Sequence, residues 1–395
     1  MIPYGKQTIT EDDIAAVVEC LRSDWLTQGP KVQEFEQAFA WAVGAKHAVA
    51  VNNATAALHL AMLVGGIGPG NRVVTSPITF LASANCAAYV GAIPDFCDVD
   101  PISLNLCPEA LERNWKPDTK AVIAVDYAGQ AADMPNIAKI ARERGALVIE
   151  DACHGVGGGF EHEGQTWKLG GHPWADMTTF SFHPVKTMTT GEGGMLVTDN
   201  DQYAAKARLL RSHGVERSQF VGIGSQEAAF SEKGPWYYEM QTLGFNYRLT
   251  DIQSALGLSQ LSRLRQMINR RRDITRKYNQ AFSGLSWLKT PGLRNPGDES
   301  LISWHLYTVQ IDFQKLGKTR TQVMHELKGV GVGTQVLYIP VHLQPWYRST
   351  FGYAYGKCRI AEQAYPKLLS LPLFSSMNDN EIGLAVSAIC NLDKI

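Results

Sequence analysis

The chain has 395 residues, 45% hydrophobic and 19% charged, with a formal net charge of −1. This composition suits a globular protein of two or three domains of roughly 100–200 residues each. It gives no global electrostatic ground for binding nucleic acid or an anionic membrane, so neither is an expected partner. The densest basic run, "NRRRD" at Asn269–Asp273, falls in a helical pattern and reads as a solvated helix face. The seven cysteines are widely spaced and include no C-x-x-C. That points to reduced thiols in a cytoplasmic protein, and away from a disulfide framework or a metal site. "MIPYGKQTITEDDI" has no apolar core of a signal peptide, and no apolar run reaches the roughly 18–20 residues of a membrane helix.

In chain order, residues 1–30 form an N-terminal segment and residues 31–260 a large domain. Within that domain the strands expected are "HAVAVN", "NRVVTS", "IPDFCDV", "KAVIAVD" and "ALVIED". Helical patterns at Thr55–Val64, Phe80–Val90 and Pro135–Arg144 separate them. Apolar strands alternating with helices predict an α/β domain with a mostly parallel sheet buried on both faces. "TTFSF" and "GGMLVTD" add two strands, read as joined by a tight glycine turn. From Ser212 to Gly244 the pattern is irregular, as expected of a functional or disordered loop. "RLTDIQSALGLSQLSRLRQMINRRRDITRKYNQAF" then predicts one long helix bridging to a smaller α+β domain, with the boundary at 261 and the domain running to 395. In that domain "WHLYTVQIDF" and "GTQVLYI" read as strands, and "TRTQVMHELKGVG" and Gly356–Leu369 as helices.

Ligands of open α/β sheets sit beyond the carboxyl ends of the strands. After "HAVAV" comes "NNATAALHLAM", a helix start whose amides suit a phosphate, although a plain cap at Asn53 or Thr55 explains it equally. Phe80, beyond the next strand, suits stacking on a flat ring or helix–sheet packing. Asp126 and Tyr127 close another strand. Asp151 ends "ALVIED", a buried place where a carboxylate needs a partner, and His154 follows it. Ser181 and Lys186 lie in "FSFHPVKTMTTGEGGMLVTD", where a lone lysine in a charge-poor stretch is either a surface residue or a sheltered amine nucleophile. A phosphate cup, a stacking ring, a strand-end aspartate and a sheltered lysine are together the parts that hold pyridoxal 5'-phosphate, and their agreement favours the nucleophile.

These residues sit in "WLTQGP", "NNATAAL", "SPITF", "VDYAGQ", "IEDACHGVG", "FSFHPVKTMTTGEGG", "RSHG" and "LGFNYRLTDIQSALGLSQL", with "HLYTV" and "YIPVHLQPWY" beyond. Over nearly its whole length the chain resembles the DegT/DnrJ/EryC1/StrS family of nucleotide-sugar aminotransferases, of fold type I. The resemblance implies a pyridoxal-phosphate transaminase acting on L-glutamate and a UDP-4-keto-6-deoxy sugar. It implies Lys186 as the Schiff-base lysine and Asp151 as the partner of the pyridine nitrogen. Phe80 would stack on the ring, with Ala54, Thr55 and Ser181 on the phosphate and His154 near the cofactor. Asn246 would reach the phosphate of the neighbouring subunit's cofactor, in a homodimer with composite sites. Trp25, His183, Arg248 and His342 are substrate candidates, with packing an equal role for His183 and Arg248. Leu337 stands where many relatives carry histidine. Family dehydratases carry histidine in place of the lysine, so Lys186 argues against that branch. A regulatory protein that keeps the fold without turnover is the remaining reading from another class.

Overall fold

The computed structural model describes residues 1–222 and 234–393. Helices α1 (Glu11–Arg22) and α2 (Pro30–Val43) lead into β1 (His47–Val51), α3 (Ala54–Val64), β2 (Arg72–Thr75), α4 (Ala82–Tyr89) and β3 (Ile93–Phe96). Next come α5 (Pro108–Arg113), β4 (Thr119–Val125), α6 (Met134–Arg142) and β5 (Leu147–Asp151). A hairpin, β6 (Gly159–His162) and β7 (Gln165–Lys168), precedes β8 (Met177–Ser181), β9 (Gly194–Thr198) and α7 (Asp201–Arg211). A two-residue pair follows, β10 (Val215–Glu216) with β11 (Glu239–Met240). Then α8 (Asp251–Ser262) and α9 (Leu264–Phe282) lead to β12 (Leu288–Lys289), β13 (Tyr307–Ile311), α10 (Phe313–Leu316), α11 (Arg320–Gly329), α12 (Pro345–Phe351), α13 (Arg359–Ala364), β14 (Leu368–Leu371) and α14 (Asp379–Cys390).

The central sheet has the order β1-β9-β8-β5-β4-β2-β3. β9 is antiparallel to both its neighbours, and the other strands run one way. Apolar side chains on one face (Phe35, Phe39, Val122, Val148, Phe180) and on the other (Leu58, Leu60, Ile123, Ile149, Leu196) are buried, so each strand is covered twice. This accounts for the continuous apolar runs. The expected α/β large domain is therefore present, with a smaller three-stranded sheet, β12-β13-β14, beyond it. A second core of Tyr278, Phe282, Trp304, Tyr307 and Val309 backs that sheet, and Ile2 from the amino terminus packs into it.

Several expectations change. β8 and β9 are not joined by a tight turn; residues 182–193 lie between them, and this connection carries Lys186. The single bridging helix is two helices, broken at Arg263 (φ −105°, ψ 3°). "NRRRD" is not a solvated face: Arg271 is fully buried and donates to the Leu373 carbonyl at 2.8 Å, while Arg270 and Arg272 donate to Met377 and Ile302 carbonyls. α9 lies between the two domains, so these three arginines serve backbone carbonyls. "GTQVLYI" makes an isolated bridge, Gln335 to Ser370, and not a strand. Gly356–Leu369 is not one helix: the short α13 is followed by a 3-10 turn, Tyr365–Lys367, that holds Pro366, and the chain enters β14 at Leu368. Residues 223–233 of the irregular segment lie outside the described residues. Among the described residues no helix is long and apolar enough to cross a membrane.

The two domains meet where Ser303–His305 runs against the large domain. Ser303 Oγ donates to the Val156 carbonyl at 2.7 Å, and His305 N–H donates to the Ala128 carbonyl at 2.9 Å. Gly129, at φ +98°, lies so close that a Cβ there would sit 1.9 Å from the Ser303 carbonyl oxygen. Gly129→Ala is expected to destabilise the protein by more than about 2 kcal/mol, from left-handed backbone strain plus that overlap. Denaturant unfolding compared with Gly145→Ala checks this. Gly145 also has positive φ but has open space around it, so equal losses would remove the contact from the explanation.

Candidate active site

The carboxyl ends of β1, β2, β4, β5 and β8 surround a cavity of about 790 Å³. Its lining includes Ala54, Thr55, Phe80, Asp151, His154, Ser181, His183 and Lys186. At the end of β1 the chain turns directly into α3, and Asn53 Oδ1 accepts from the Ala56 N–H at 2.9 Å. The cap is thus Asn53, and the amides of Ala54 and Thr55, which have no intrahelical acceptor, lie at the cavity wall. β9 passes tightly beneath this turn: a Cβ on Gly194 would stand 2.6 Å from Ala54 N.

Phe80 precedes α4 and is 56% exposed, so its ring stands open and is not part of the helix–sheet core. One turn further, Ser83 Oγ donates to Asp151 Oδ2 at 2.7 Å, and the Cys153 N–H donates to Oδ1 at 3.2 Å. These donors satisfy a carboxylate that is itself buried. Glu150 beside it points to the opposite side of the sheet, as strand alternation requires. There it accepts from Gly170 N–H and Thr178 Oγ1, both at 2.9 Å, and pairs with His172 Nε2 at 2.9 Å.

Lys186 is half-buried. Burial pulls its pKa below the usual amine value, while Cys153 and Asp151 act in the opposite direction. Its loop is closed at the base, with Phe182 N–H donating to the Gly193 carbonyl at 2.9 Å and Thr190 N–H to the Phe182 carbonyl at 3.0 Å. His154 is buried; Ala128 N–H donates to its Nδ1 at 3.3 Å, and Tyr338 Oη lies 3.3 Å from its Nε2. Burial first, and then the charge of Lys186, drives the His154 pKa well below the ordinary histidine value. The His305 ring packs against it, tilted at 49° with centroids 4.4 Å apart.

The remaining candidates lie elsewhere. Asn246 is exposed and pairs with Ser212 in a bridge outside this cavity. Arg248 lines a separate groove with Gln28, Arg208 and Ser212. Trp25 is 56% exposed and does not line the cavity. His342 is corrected from a substrate candidate to a packing residue: its side chain is sealed from solvent, with Nε2 2.7 Å from Glu362 Oε1. The sequence reading missed Tyr4, Ser83, Cys153, Tyr247 and Tyr338, which also line the cavity. Ser83 was accessible in principle, one helical turn after Phe80. Tyr4 and Tyr338 come from distant segments and carry no local signal. Leu337 also lines the cavity, and its carbonyl accepts from Tyr127 Oη.

A sheltered amine, a strand-end carboxylate and an open helix start in one cavity at the edge of a mostly parallel sheet define a fold-type I enzyme of the aldehyde cofactor. Residues 7–389 match the DegT/DnrJ/EryC1/StrS aminotransferase family, and the chain belongs to it. It is 42% identical over 394 residues to the spore coat polysaccharide biosynthesis protein SpsC of Bacillus subtilis, covering 100% of this chain and 97% of that protein. Its structure is similar to Helicobacter pylori PseC, an aminotransferase involved in the biosynthesis of pseudaminic acid (TM-score 0.87, 28% identity, 100% of this chain and 99% of that one). It is also similar to the aminotransferase TlmJ of Streptoalloteichus hindustanus (TM-score 0.86, 32% identity, 98% of each chain). The protein is a pyridoxal-phosphate-dependent sugar aminotransferase.

The residues present fit that cofactor. The Ala54 and Thr55 amides and Ser181 offer neutral donors to a phosphate, Phe80 presents an open aromatic face, and Asp151 offers a satisfied carboxylate. Cys153 lies among them with its thiol pKa raised, by burial and then by the charge of Asp151. A thiol so held forms little thiolate. At pH 8, iodoacetamide is therefore expected to label Cys153 at least about tenfold more slowly in the native protein than in urea. Peptide mass spectrometry checks this; equal labelling rates would show a thiol open to reaction.

Proposed function

We propose that this aminotransferase moves the amino group of L-glutamate to C4 of a UDP-4-keto-6-deoxy-N-acetylhexosamine. The acceptor is UDP-2-acetamido-2,6-dideoxy-β-L-arabino-hex-4-ulose. The product is UDP-4-amino-4,6-dideoxy-N-acetyl-β-L-altrosamine, on the route to pseudaminic acid. The observation that carries the chemistry is the meeting of Lys186 and Asp151 in one cavity with the open start of α3. Full-length likeness to PseC supports the choice of sugar. The spore coat relative favours a second reading, another UDP- or dTDP-4-keto-6-deoxy sugar bound for a surface polysaccharide.

When bound, pyridoxal phosphate supplies an aldehyde for amines and a ring that takes up electrons from the substrate carbon. Lys186 is assigned the covalent attachment and, as a free amine, the proton at that carbon. The downward direction of its pKa shift enlarges the fraction present as free amine relative to an ordinary lysine. Asp151 is assigned to hold a proton on the ring nitrogen, with Ser83 and the Cys153 amide fixing its two oxygens. Ala54, Thr55 and Ser181 would bind the phosphate, and Phe80 would orient the ring. His154 would lie beside the ring as a neutral imidazole, with His183 at the mouth.

The active unit in this reading is a homodimer. Asn246 is absent from its own cavity, and the nearby segment exposes Trp236, Tyr238, Met240 and Leu243. An apolar group this exposed is suited to covering by another chain. Asn246 would then donate to the phosphate in the partner's site without adding charge.

A coupled assay offering glutamate with a panel of UDP- and dTDP-4-keto-6-deoxy sugars tests the function. Preferred turnover of the UDP-β-L-arabino sugar is expected, and preference for another sugar would replace the primary reading by the second.

Asp151→Asn is expected to retain cofactor and lose at least about 100-fold in kcat, because a neutral amide does not stabilise a protonated ring nitrogen. Absorbance and steady-state rates check both halves of this expectation, and near-normal turnover would place the nitrogen's partner elsewhere.

Mixing inactive Lys186→Ala subunits with an inactive Asn246 variant tests the composite site. A mixed dimer would have one site bearing both lesions and one bearing neither, so part of the wild-type activity should return. No recovery in subunits shown to have exchanged would end the cross-subunit assignment.

A further inference from the structure

Tyr338 enters the cavity from the small-domain side, in the segment that follows the Gln335–Ser370 bridge. Its ring lies near Phe80, with centroids 6.2 Å apart, and stacks at 20° to the His154 ring. The hydrogen bonds around His154 fix what the tyrosine hydroxyl can do. The Ala128 group at Nδ1 is a backbone N–H, which can only donate, so Nδ1 accepts. Burial keeps the imidazole neutral. A neutral ring with its lone pair on Nδ1 carries its proton on Nε2. Nε2 therefore donates to Tyr338 Oη across the 3.3 Å between them. The hydroxyl's own proton is then left to donate to an acceptor other than His154, and Tyr338 lines the cavity.

We propose that Tyr338 is a substrate-positioning residue whose hydroxyl donates to an oxygen of the sugar ring, either a hydroxyl or the carbonyl. The proposal rests on the reading that a keto sugar is the amino acceptor, and it names the group on this chain that orients it. The carboxylate of the amino donor is the competing partner, and the surroundings disfavour it. Phe80, Tyr4 and Leu337 line the cavity with Tyr338. Among the described lining residues, Lys186 is the only amine or guanidinium, and His183, the exposed imidazole at the mouth that could meet the donor's carboxylate, makes no hydrogen bond or ring contact with Tyr338. A carboxylate taken out of water needs a cation beside it, whereas a neutral sugar oxygen is satisfied by a neutral donor. The relay from the Ala128 amide through His154 aims that donor before the sugar arrives.

Tyr338→Phe removes the hydroxyl and keeps the ring against His154 and Phe80. The two half-reactions of the holoenzyme are followed separately by stopped-flow absorbance, first with L-glutamate and then with the UDP-4-keto-6-deoxy-N-acetylhexosamine. The glutamate half-reaction is expected to stay within about twofold of wild type. The apparent dissociation constant for the sugar is expected to rise about tenfold, as for one lost hydrogen bond, with a smaller change in the limiting rate. Calorimetric binding of the UDP-4-amino sugar should weaken by the same factor. Equal losses in both half-reactions would put the hydroxyl's partner on the cofactor and overturn the proposal. So would unchanged sugar constants, or a variant that no longer loads cofactor. If wild type accepts glutamate but no keto sugar, the functional reading itself fails, visibly, before any variant is compared, and this proposal falls with it.

Discussion

Burial of three carboxyl groups at the ends of two adjacent strands is the constraint that the site is built around. Asp126 follows β4, and Glu150 and Asp151 end β5; all three are shielded from water. Three bare charges this close would repel one another in a poorly polarisable interior. Strand alternation puts Glu150 and Asp151 on opposite faces of the sheet. Glu150 turns to the far side of the sheet, where His172, Thr178 and the Gly170 amide hold it. Burial, and then the charge of Glu150, pushes the Asp126 pKa well above its ordinary value, while one of its oxygens accepts from the Ala132 amide. Asp151 alone turns to the cavity, with its own two donors.

The small domain completes this arrangement from the other side. His154 belongs to the large domain, but Tyr338 and His305 meet it from beyond α9. Arg271, buried in α9, ties the Leu373 carbonyl to the helix at 2.8 Å. The amino terminus joins in: Ile2 bridges Val332, and the Tyr4 carbonyl accepts from Leu373 N–H, which brings Tyr4 to the cavity wall. Segments far apart in sequence thus share one seam, lined by Ile78, Tyr127, Leu306 and Val341.

Legibility in the sequence followed the range of the interactions. β1 to β5 were readable because strands covered on both faces are continuous apolar runs. Ala54, Thr55, Phe80, Asp151, Ser181 and Lys186 could be expected in one cavity because each sits at a strand end or within a few residues of one. Tyr4 and Tyr338 were not, since what brings them to the cavity is the docking of the two domains. Arg271 was misread because a basic run on a helix looks solvated until the second element that covers it is known. His342 was misread for a related reason: Glu362, the residue that holds it, lies on a separate helix. The turn assumed between β8 and β9 was misread because glycines mark both a tight turn and the end of a longer loop.

That loop, closed at its base by the hydrogen bonds of Phe182 and Thr190, has a thermodynamic consequence. A free segment carrying a nucleophile would lose conformational entropy of roughly 1–2 kcal/mol per residue at the moment of capture. Here the two strands that flank the loop pair with each other, so the restriction is imposed when the sheet assembles. The freedom of the chain around Lys186 is surrendered to folding, and the encounter with a ligand inherits an amine that is already in place.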